Sequence, residues 1–386
     1  MFKSFRFRLY PTECQKILIN KHIGSVRFLY NLALETKQMT WAGNKINLTR
    51  YDLCSQLKEL KSELVWLKDV NSQSLQGALM NLDAAYLRFF KGLSNFPKYK
   101  KKTNGGSFNI PQRVSIKNGK LIIPKFQGGI ELILHRPIEG TIRRAVIRKT
   151  PTGKYFVSIL CEPDVKCNTK PKITEETTIG IDLGIKNFIT TSNGKAFENP
   201  KFLKQSLLRL KYIHRKYSKY KGKRTKLRGV LLNEKITNQR KNFLHKVSSE
   251  LIKNHDSIAI ENLSVSNMIK NHCLARVISD AGWSMFVNML EYKAEWYGVN
   301  ILKIGRFEPS SKICSACGSI NKTLQLKDRE WTCKSCGALH DRDINAACNI
   351  KSFALKNHLS AEHRFKNQNE LPTLVGVLTS ETLISL

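Results

Sequence analysis

Four cysteines in the C-terminal third of the sequence have the spacing of a zinc site. Cys314 and Cys317 are separated by two residues, as are Cys333 and Cys336, and fifteen residues lie between the pairs. A two-residue gap lets both sulfurs of a pair reach one tetrahedral ion at ~2.3 Å, and a glycine follows each pair, as a tight turn favours. Four thiolates complete the coordination of Zn²⁺. The sequence therefore predicts one structural zinc ion rather than a catalytic one.

Three acidic residues have a pattern typical of metal-dependent phosphodiester hydrolysis. Asp182 and Glu261 each lie at the end of a predicted buried strand, and Asp343 lies at the start of a predicted helix. Clustered carboxylates repel one another unless divalent cations lie between them. Two Mg²⁺ ions ~3.5–4 Å apart would activate a water and stabilise the leaving oxygen. The order strand, strand, helix is the layout of a ribonuclease H-like nuclease, so we expect these three residues to be catalytic and to bind Mg²⁺.

Two neighbours of Asp343 could be mistaken for functional groups. Asp341 precedes Asp343 by two positions and points elsewhere on a helical turn, so we expect it to cap the helix. His340 lies close to the cysteines, but four thiolates already complete the tetrahedron. We therefore interpret His340 as a residue of the helix start and not as a zinc ligand.

The composition indicates a polyanionic partner. The 386 residues include 65 lysines and arginines against 30 acids, a formal net charge of +35. Such a charge favours binding to nucleic acid. Residues 201–246 alone contain 16 basic residues and a single acid, interleaved with aromatic residues. Contact with a phosphate backbone explains this density better than a solvated helix face, although an apolar stripe of leucines shares the segment.

Other features indicate the cellular compartment. No apolar run approaches ~18 residues, and the N-terminal segment MFKSFRFRLYPT lacks the apolar core of a signal peptide. Six of the ten cysteines lie outside the zinc motif, and their spacing does not suggest a disulfide framework. This cysteine usage fits a reducing environment. We expect a cytoplasmic protein, associated with the nucleoid when on DNA, with no membrane partner and no small-molecule substrate.

The elements that position these residues fall into several segments. We expect an α/β fold with a ribonuclease H-like (RuvC) nuclease core and an inserted zinc ribbon, preceded by a small β-barrel that a helical domain interrupts. The predicted boundaries are 1–10 and 96–170 for the barrel, 11–95 for the helices, 175–310 and 339–355 for the nuclease core, 311–338 for the ribbon, and 356–386 for a disordered tail. Within the core, one continuous helix is expected over SDAGWSMFVNMLEYKAEWYG.

A second interpretation fits one motif. IGIDLG also resembles the first phosphate loop of sugar kinases and actin-like ATPases, which share this core fold. Those proteins continue with Thr or Ser, whereas Ile185 and Lys186 follow here, and they need a second phosphate loop and a Gly-rich adenosine site, which we do not find. The zinc spacing and the charge are unexplained by that interpretation.

Over roughly residues 1 to 350 the chain resembles the TnpB family, compact transposon-encoded nucleases related to type V CRISPR effectors and also described as OrfB zinc-ribbon transposases. The resemblance rests on FRLYPT, GIDLGIKNFIT, IAIENLSVSNM, LARVISDAGWSMFVNMLEYKAEWYG, the ribbon and HDRDINAACNI. The acidic triad of that family falls at positions matching Asp182, Glu261 and Asp343. All three acids are present, which argues against the nuclease-dead repressors derived from the family.

The resemblance implies RNA guidance. Such proteins bind a noncoding RNA from the transposon end, which pairs with target double-stranded DNA beside a short adjacent motif, while the protein reads the heteroduplex by shape. Ser72 and Gln76 resemble the family's motif-reading region, although a helix N-terminus with a serine N-cap explains them as well. We expect nucleic-acid contacts from Ser72, Gln76, Lys98, Lys100, Lys211, Arg215, Lys223 and Arg224, and a protein that is monomeric in its complex.

Two other functions remain open. The same fold serves DNA transposases that join strands, and the chain could be such an enzyme or an accessory protein of transposition. An RNA-guided repressor that binds DNA without cleaving it is the second alternative.

Overall fold

A computed structural model describes residues 2–102, 105–164, 169–306, 308–325 and 327–369, with only the backbone described for 361–369. The chain divides into two compact units. The first comprises Met1–Lys166 and Lys223–Leu231, and the second comprises Cys167–Gly222 and Leu232–Leu386.

A curled antiparallel sheet forms one part of the first unit. Its strands are β1 (Lys3–Tyr10), β2 (Gly106–Ile110), β3 (Ser115–Lys117), β4 (Lys120–Ile122), β5 (Ile130–Ile133), β6 (Thr141–Lys149) and β7 (Tyr155–Glu162), in the order β2-β6-β7-β1-β5-β4-β3. Phe5, Phe7 and Leu9 alternate along β1 and are buried, as the period of two predicts. The sequence predicts a small barrel here. The described ladders form a seven-stranded sheet whose end strands, β2 and β3, are not joined to each other.

Three helices lie between β1 and β2, in the segment where a helical domain is expected. They are α1 (Glu13–Asn44), α2 (Arg50–Glu63) and α3 (Ser72–Phe90), with a 3₁₀ turn over Val65–Asp69. A capping box starts α1, because Thr12 accepts from the backbone of Gln15 and the Gln15 side chain accepts from the backbone of Thr12. The N-cap of α3 is Asn71, whose side chain accepts from Gln73. The serine N-cap that explains Ser72 in the sequence is therefore wrong.

The second unit is built on a five-stranded mixed sheet. Its strands are β8 (Thr178–Leu183), β9 (Asn187–Thr191), β10 (Ala196–Glu198), β11 (Ser257–Glu261) and β12 (Asn300–Ile304), in the order β10-β9-β8-β11-β12. The first three form an antiparallel meander, while β8, β11 and β12 are mutually parallel neighbours. Side chains from both faces of β8 and β11 are buried, as expected of parallel strands covered on both sides.

The helices after β10 are α4 (Phe202–Tyr220), α5 (Lys223–Asn254), the short α6 (Val265–Met268), α7 (His272–Ala281), α8 (Trp283–Tyr297) and α9 (Arg342–Asn369). Residues Lys223–Leu231 of α5 belong to the first unit, and buried residues of α7, α8, α9 and the rest of α5 pack with those of the sheet. The single helix expected over residues 279–298 is wrong, because Gly282 has φ +75° and ends α7 before α8 begins. Helix α9 continues beyond Leu355, so the structure is helical over residues 356–369 where the sequence predicts disorder. The rest of that predicted tail, 370–386, lies outside the described residues.

A short hairpin completes the second unit between β12 and α9. It consists of β13 (Glu330–Thr332) and β14 (Leu339–Asp341), and Trp331 packs with three buried ribbon residues, Cys314, Leu324 and Cys333. Within the part of the chain that the structure describes, no helix has the length and apolar character to cross a membrane.

Gly180, in the motif IGIDLG, lets α9 lie directly on β8. A Cβ at Gly180 would stand 2.1 Å from the carbonyl oxygen of Ala347 and 2.9 Å from the backbone nitrogen of Lys351. This glycine is therefore explained by close helix packing, without a phosphate loop.

We predict that Gly180→Ala destabilises the protein strongly. The added methyl group meets backbone atoms that cannot rotate away, so the free energy of unfolding should fall by about 3 kcal/mol. Gly24→Ala is the control, since nothing lies within 4 Å of a Cβ there and α1 should gain helix propensity. Urea unfolding followed by circular dichroism measures both. Equal midpoints for Gly180→Ala and the parent chain would contradict the packing described.

Candidate functional site

Asp182 and Glu261 are neighbours on adjacent parallel strands. Ile181 of β8 pairs with Ile260 of β11, and the next residue of each strand is the acid. Because neighbouring strands lie ~4.8 Å apart, both carboxylates come to the same carboxyl edge of the sheet. The strand pattern read from the sequence thus brings these two residues together.

Asp343 approaches from the start of α9, the helix that packs on β8. Asp341 caps that helix, as predicted, because its Oδ1 accepts from the backbone nitrogens of Asp343 at 2.9 Å and Ile344 at 3.0 Å. Burial, followed by the charges of Glu261 and Asp343, raises the pKa of Asp182 to about 7. Glu261 and Asp343 therefore lie close enough to Asp182 to interact with it electrostatically.

The oxygen atoms of the three carboxylates do not all lie within 4.8 Å of one another. Among the described residues, the only group of three or more potential ligand atoms within 4.8 Å of one another is the set of four cysteines. Asp343 forms an ion pair instead, in which its Oδ1 accepts from Nη1 of Arg329 at 3.3 Å. Carboxylate oxygens are nevertheless the ligands that Mg²⁺ prefers, so the chemistry of this donor set fits the ion.

Glu261 has a hydrogen-bond partner that no sequence pattern predicts. The Ser310 hydroxyl, in the loop before the first cysteine pair, donates to Oε1 of Glu261 at 2.6 Å. A serine in an irregular segment carries no distinguishing pattern, and only the folded chain shows what its side chain touches.

The four cysteines have the geometry of a tetrahedral zinc site. Sγ of Cys314 lies 3.7 Å from that of Cys336, and Sγ of Cys317 lies 3.6 Å from that of Cys333. Sulfurs bound at ~2.3 Å to one tetrahedral ion are about 3.8 Å apart, so the four sulfurs fit Zn²⁺. The predicted ligand set is thus assembled by the fold, and no position remains for a catalytic water.

Two polar side chains contact these sulfurs. The Ser319 hydroxyl lies 3.1 Å from Sγ of Cys333, and this hydrogen bond is the main cause that lowers the pKa of the thiol to about 5. Nε2 of His340 lies 3.0 Å from Sγ of Cys314, and its ring packs against Trp331. His340 belongs to β14 and not to the helix start, so that expectation is wrong.

We predict that His340→Phe weakens zinc binding without abolishing it. The variant keeps an aromatic ring against Trp331 but removes the ring nitrogen Nε2 that lies within hydrogen-bond distance of the Cys314 sulfur. Loss of a hydrogen bond to a metal ligand typically lowers affinity about 10–100-fold. Competition with a chromophoric chelator measures the change, and His358→Phe on α9, away from the cysteines, is the control. An unchanged zinc affinity would contradict this role for His340.

The predicted nucleic-acid contacts are exposed at the surface of their units, with one partial exception. Ser72 and Gln76 lie one turn apart on the exposed face of α3, and Lys211 and Arg215 lie on α4, while Lys98 follows α3 and Lys223 and Arg224 begin α5. Lys100 is exposed as a residue, but its ammonium lies 3.6 Å from the centre of the Tyr30 ring. That contact fixes Lys100 and leaves it less free to bind phosphate.

Asp280 organises the basic helices in a way that the sequence analysis missed. Its carboxylate accepts from the backbone nitrogens of Leu203 and Lys204, in the first turn of α4, and pairs with Arg240 of α5 at 2.8 Å. Helix α4 has no side-chain cap of its own, so Asp280 satisfies its exposed donors from a distant segment. No local pattern could reveal this contact, which joins residues 77 positions apart.

Three family models match parts of the chain. A helix-turn-helix domain model matches residues 1–45, a model described as a probable transposase matches 158–272, and a Cas12f1-like TNB domain model matches 283–350. The last of these spans the ribbon and the start of α9.

Curated relatives match along almost the whole chain. A Streptomyces pristinaespiralis protein named "Putative RNA-guided DNA endonuclease" is 37% identical, with 92% of this chain and 89% of that protein covered. InsQ of Escherichia coli K12, which carries the same description, is 30% identical, with 90% and 91% covered. The TnpB-like protein L79 of Acanthamoeba polyphaga mimivirus is 25% identical, with 92% and 73% covered.

The fold is also that of a solved protein. The chain is similar to Cas12f1 in a cryo-EM structure of the Cas12f1-sgRNA-target DNA complex, with a TM-score of 0.56 and 14% identity over 91% of this chain and 98% of that one. An identity of 14% shows a similar fold and nothing about function. With the acids at one sheet edge, the assembled cysteine site and the full-length relatives, the chain belongs to the TnpB family.

Proposed function

We propose that this protein is an RNA-guided DNA endonuclease. It binds a noncoding RNA from a transposon end and hydrolyses target DNA next to a short adjacent motif. The observation that carries the proposal is the placement of Asp182, Glu261 and Asp343 at one end of the sheet in a chain whose full-length relatives bear that name. RNA guidance comes from those relatives, whereas the chemistry comes from the site.

The sheet supports a ribonuclease H-like, RuvC-type core. Its order β10-β9-β8-β11-β12 combines an antiparallel meander with two parallel strands, and α9 returns to pack on the central strand β8. The ribbon is inserted between β12 and α9, so the third acid follows the zinc module directly.

The three acids would hold two Mg²⁺ ions. Asp182 and Asp343 would bind the ions and Glu261 would complete the set. Bound there, the ions would activate a water and stabilise the leaving oxygen of the phosphodiester. The protein's part is to position the carboxylates: adjacent strands align Asp182 with Glu261, and the Asp341 cap fixes the backbone of Asp343.

Nucleic acid would be held mainly through its phosphates. The net charge of +35 and the exposed Lys211 and Arg215 on α4 suit contact with the phosphate backbone of nucleic acid. Such contacts give affinity but do not distinguish one base from another. Sequence would be read by pairing with the guide, and Ser72 and Gln76 would contribute to recognition of the adjacent motif. We propose one chain per guide RNA.

The test begins with the protein purified from cells that also transcribe the DNA flanking its gene. Sequencing of copurified RNA should reveal one discrete species. That complex should linearise a plasmid carrying the matching target in Mg²⁺, and Asp182→Ala should not. Cutting or strand joining without a guide would favour a transposase, and guide-dependent binding with no product would favour a repressor; either would overturn the proposal.

A further inference from the structure

The zinc ribbon makes a second connection to the acidic site, besides the chain that runs from Cys336 to Asp343. Its incoming segment contains Ser310, whose hydroxyl touches Glu261. We infer that Ser310 is a positioning residue that couples the zinc ribbon to Glu261. The inference rests on the proposed function, since Glu261 matters only if it binds catalytic cations.

The contact between Ser310 and Glu261 is short and sheltered. The donor–acceptor distance is 2.6 Å, in the range of a hydroxyl bound to a charged carboxylate, and Ser310 is 5% exposed. Glu261 is the last residue of β11, so its backbone is fixed while its side chain retains several rotatable bonds. One hydrogen bond from a buried donor therefore selects the direction in which the carboxylate points.

Ser310 is itself held by helix α9. Its carbonyl accepts from Nδ2 of Asn349 at 2.7 Å, and its backbone nitrogen donates to the carbonyl of Glu308. The second proton of the Asn349 amide goes to the carbonyl of Ile313 at 2.6 Å, so both of its donors are used. Asn349 is 4% exposed, so its amide would be costly to leave without hydrogen-bond partners.

Asn345, one turn earlier on α9, holds the next part of the same segment. Its Nδ2 also donates to the carbonyl of Ile313, at 2.7 Å, and its Oδ1 accepts from the backbone of Ser315 at 2.9 Å. The two asparagines share one face of the helix because they are four residues apart. Residues 310–315, which lead into the first cysteine pair, are thus fixed to the helix that carries Asp343.

The two ends of the ribbon consequently control two different acids. The incoming end orients Glu261 through Ser310, and the outgoing end passes through β14 to the Asp341 cap and Asp343. A zinc ion with no open position can in this way influence catalysis at two of the three carboxylates. Ser311, the neighbouring serine, makes no side-chain hydrogen bond within the described part of the chain, so the link belongs to Ser310 alone.

Three variants test the inference: Ser310→Ala, Ser310→Thr, which keeps the hydroxyl, and Ser311→Ala as the matched control. The first readout is binding of Tb³⁺, a luminescent substitute for the divalent ion, to the guide-bound protein. The second is the Mg²⁺ concentration that gives half-maximal cleavage. Zinc content and guide-dependent DNA binding are measured for every variant.

Ser310→Ala should weaken Tb³⁺ binding and raise the required Mg²⁺ concentration about 10-fold, the usual effect of losing an outer partner of a metal ligand. Ser310→Thr should restore most of the loss, and Ser311→Ala should match the parent protein. Zinc content and DNA binding should stay unchanged. If Ser310→Ala equals Ser311→Ala in both readouts, or loses zinc and unfolds, the positioning role is wrong.

The two proposals fail in different ways. A parent protein that does not cleave with any guide contradicts the proposed function, whatever the variants do. A parent protein that cleaves while Ser310→Ala cleaves equally at every Mg²⁺ concentration contradicts only the positioning role.

Discussion

Asp182→Asn is expected to abolish cleavage of target DNA and leave guide-dependent binding of that DNA intact. The change removes one charged ligand from the centre of the acidic site with almost no change of shape. Bound cations contribute several kcal/mol to a phosphoryl-transfer transition state, and each 1.4 kcal/mol is a factor of ten. The cleavage rate should therefore fall by at least about 10³-fold. Binding depends on basic residues elsewhere and should change less than twofold.

The same substitution should stabilise the protein in magnesium-free buffer. Burial and the two neighbouring acids raise the pKa of Asp182 from 3.8 to about 7. Below pH ~4 the group is protonated in both the folded and unfolded states. Between pH ~4 and ~7 the unfolded chain loses the proton first, so this group lowers the stability as the pH rises. Above pH ~7 the penalty is constant, on the order of 2 kcal/mol at this partly exposed site.

Thermal unfolding at pH 5 and pH 8 measures this effect. The advantage of Asp182→Asn over the parent protein should be greater at pH 8 than at pH 5, and both proteins should retain zinc at each pH. Asp256→Asn, in the loop before β11, provides a control for a general change of charge. An Asp182→Asn variant that cleaves at the parent rate, or that is less stable at pH 8, would contradict the site described.

Loss of zinc should have the second large effect. Cys333→Ser removes one of four thiolates, and Ser is a poor substitute ligand. The described residues of the ribbon form a buried cluster of four, Cys314, Leu324, Trp331 and Cys333, which is too small to fold without metal. The binding free energy of a structural zinc ion is typically about 10–16 kcal/mol, and it stabilises the folded state because the unfolded chain has no preformed site. We expect residues 311–338 to unfold locally while the sheet of the second unit persists.

Cleavage should fall with the ribbon because both of its ends contact the acidic site. The expected loss is at least about 100-fold, from combined misplacement of Glu261 and Asp343. Zinc content by atomic absorption, proteolysis of residues 311–338 and the cleavage rate are measured together. Cys273→Ser, an exposed free cysteine on α7, is the control and should behave as the parent. A Cys333→Ser protein that lacks zinc yet cleaves normally would show that the coupling does not exist.

The sequence predicts those parts of the site that depend on local spacing. Two-residue gaps between cysteines and acids at the ends of apolar strands are local patterns, and the fold places Asp182 beside Glu261 as the strand order requires. In each case neighbouring residues alone determine the structure.

The remaining features depend on contacts between distant segments. Glu261 and Ser310 are 49 positions apart, so no periodicity joins them. The apolar pattern continues through Gly282, and only the backbone conformation there, at φ +75°, shows the change of direction between the two helices. The sequence predicts His340 at the helix start because it adjoins Asp341, whereas strand pairing with Trp331 places it against a cysteine. Pairing and packing decide these positions.

The most direct test of RNA guidance is to exchange the guide. The protein is combined in turn with two RNAs that differ only in the segment that pairs with DNA, and each complex is offered both matching plasmids in Mg²⁺. We predict that each complex linearises only the plasmid matching its own guide, and that Asp182→Asn complexes bind the same plasmid without cutting it. Cleavage of the same sites with either guide, or with none, would contradict the account.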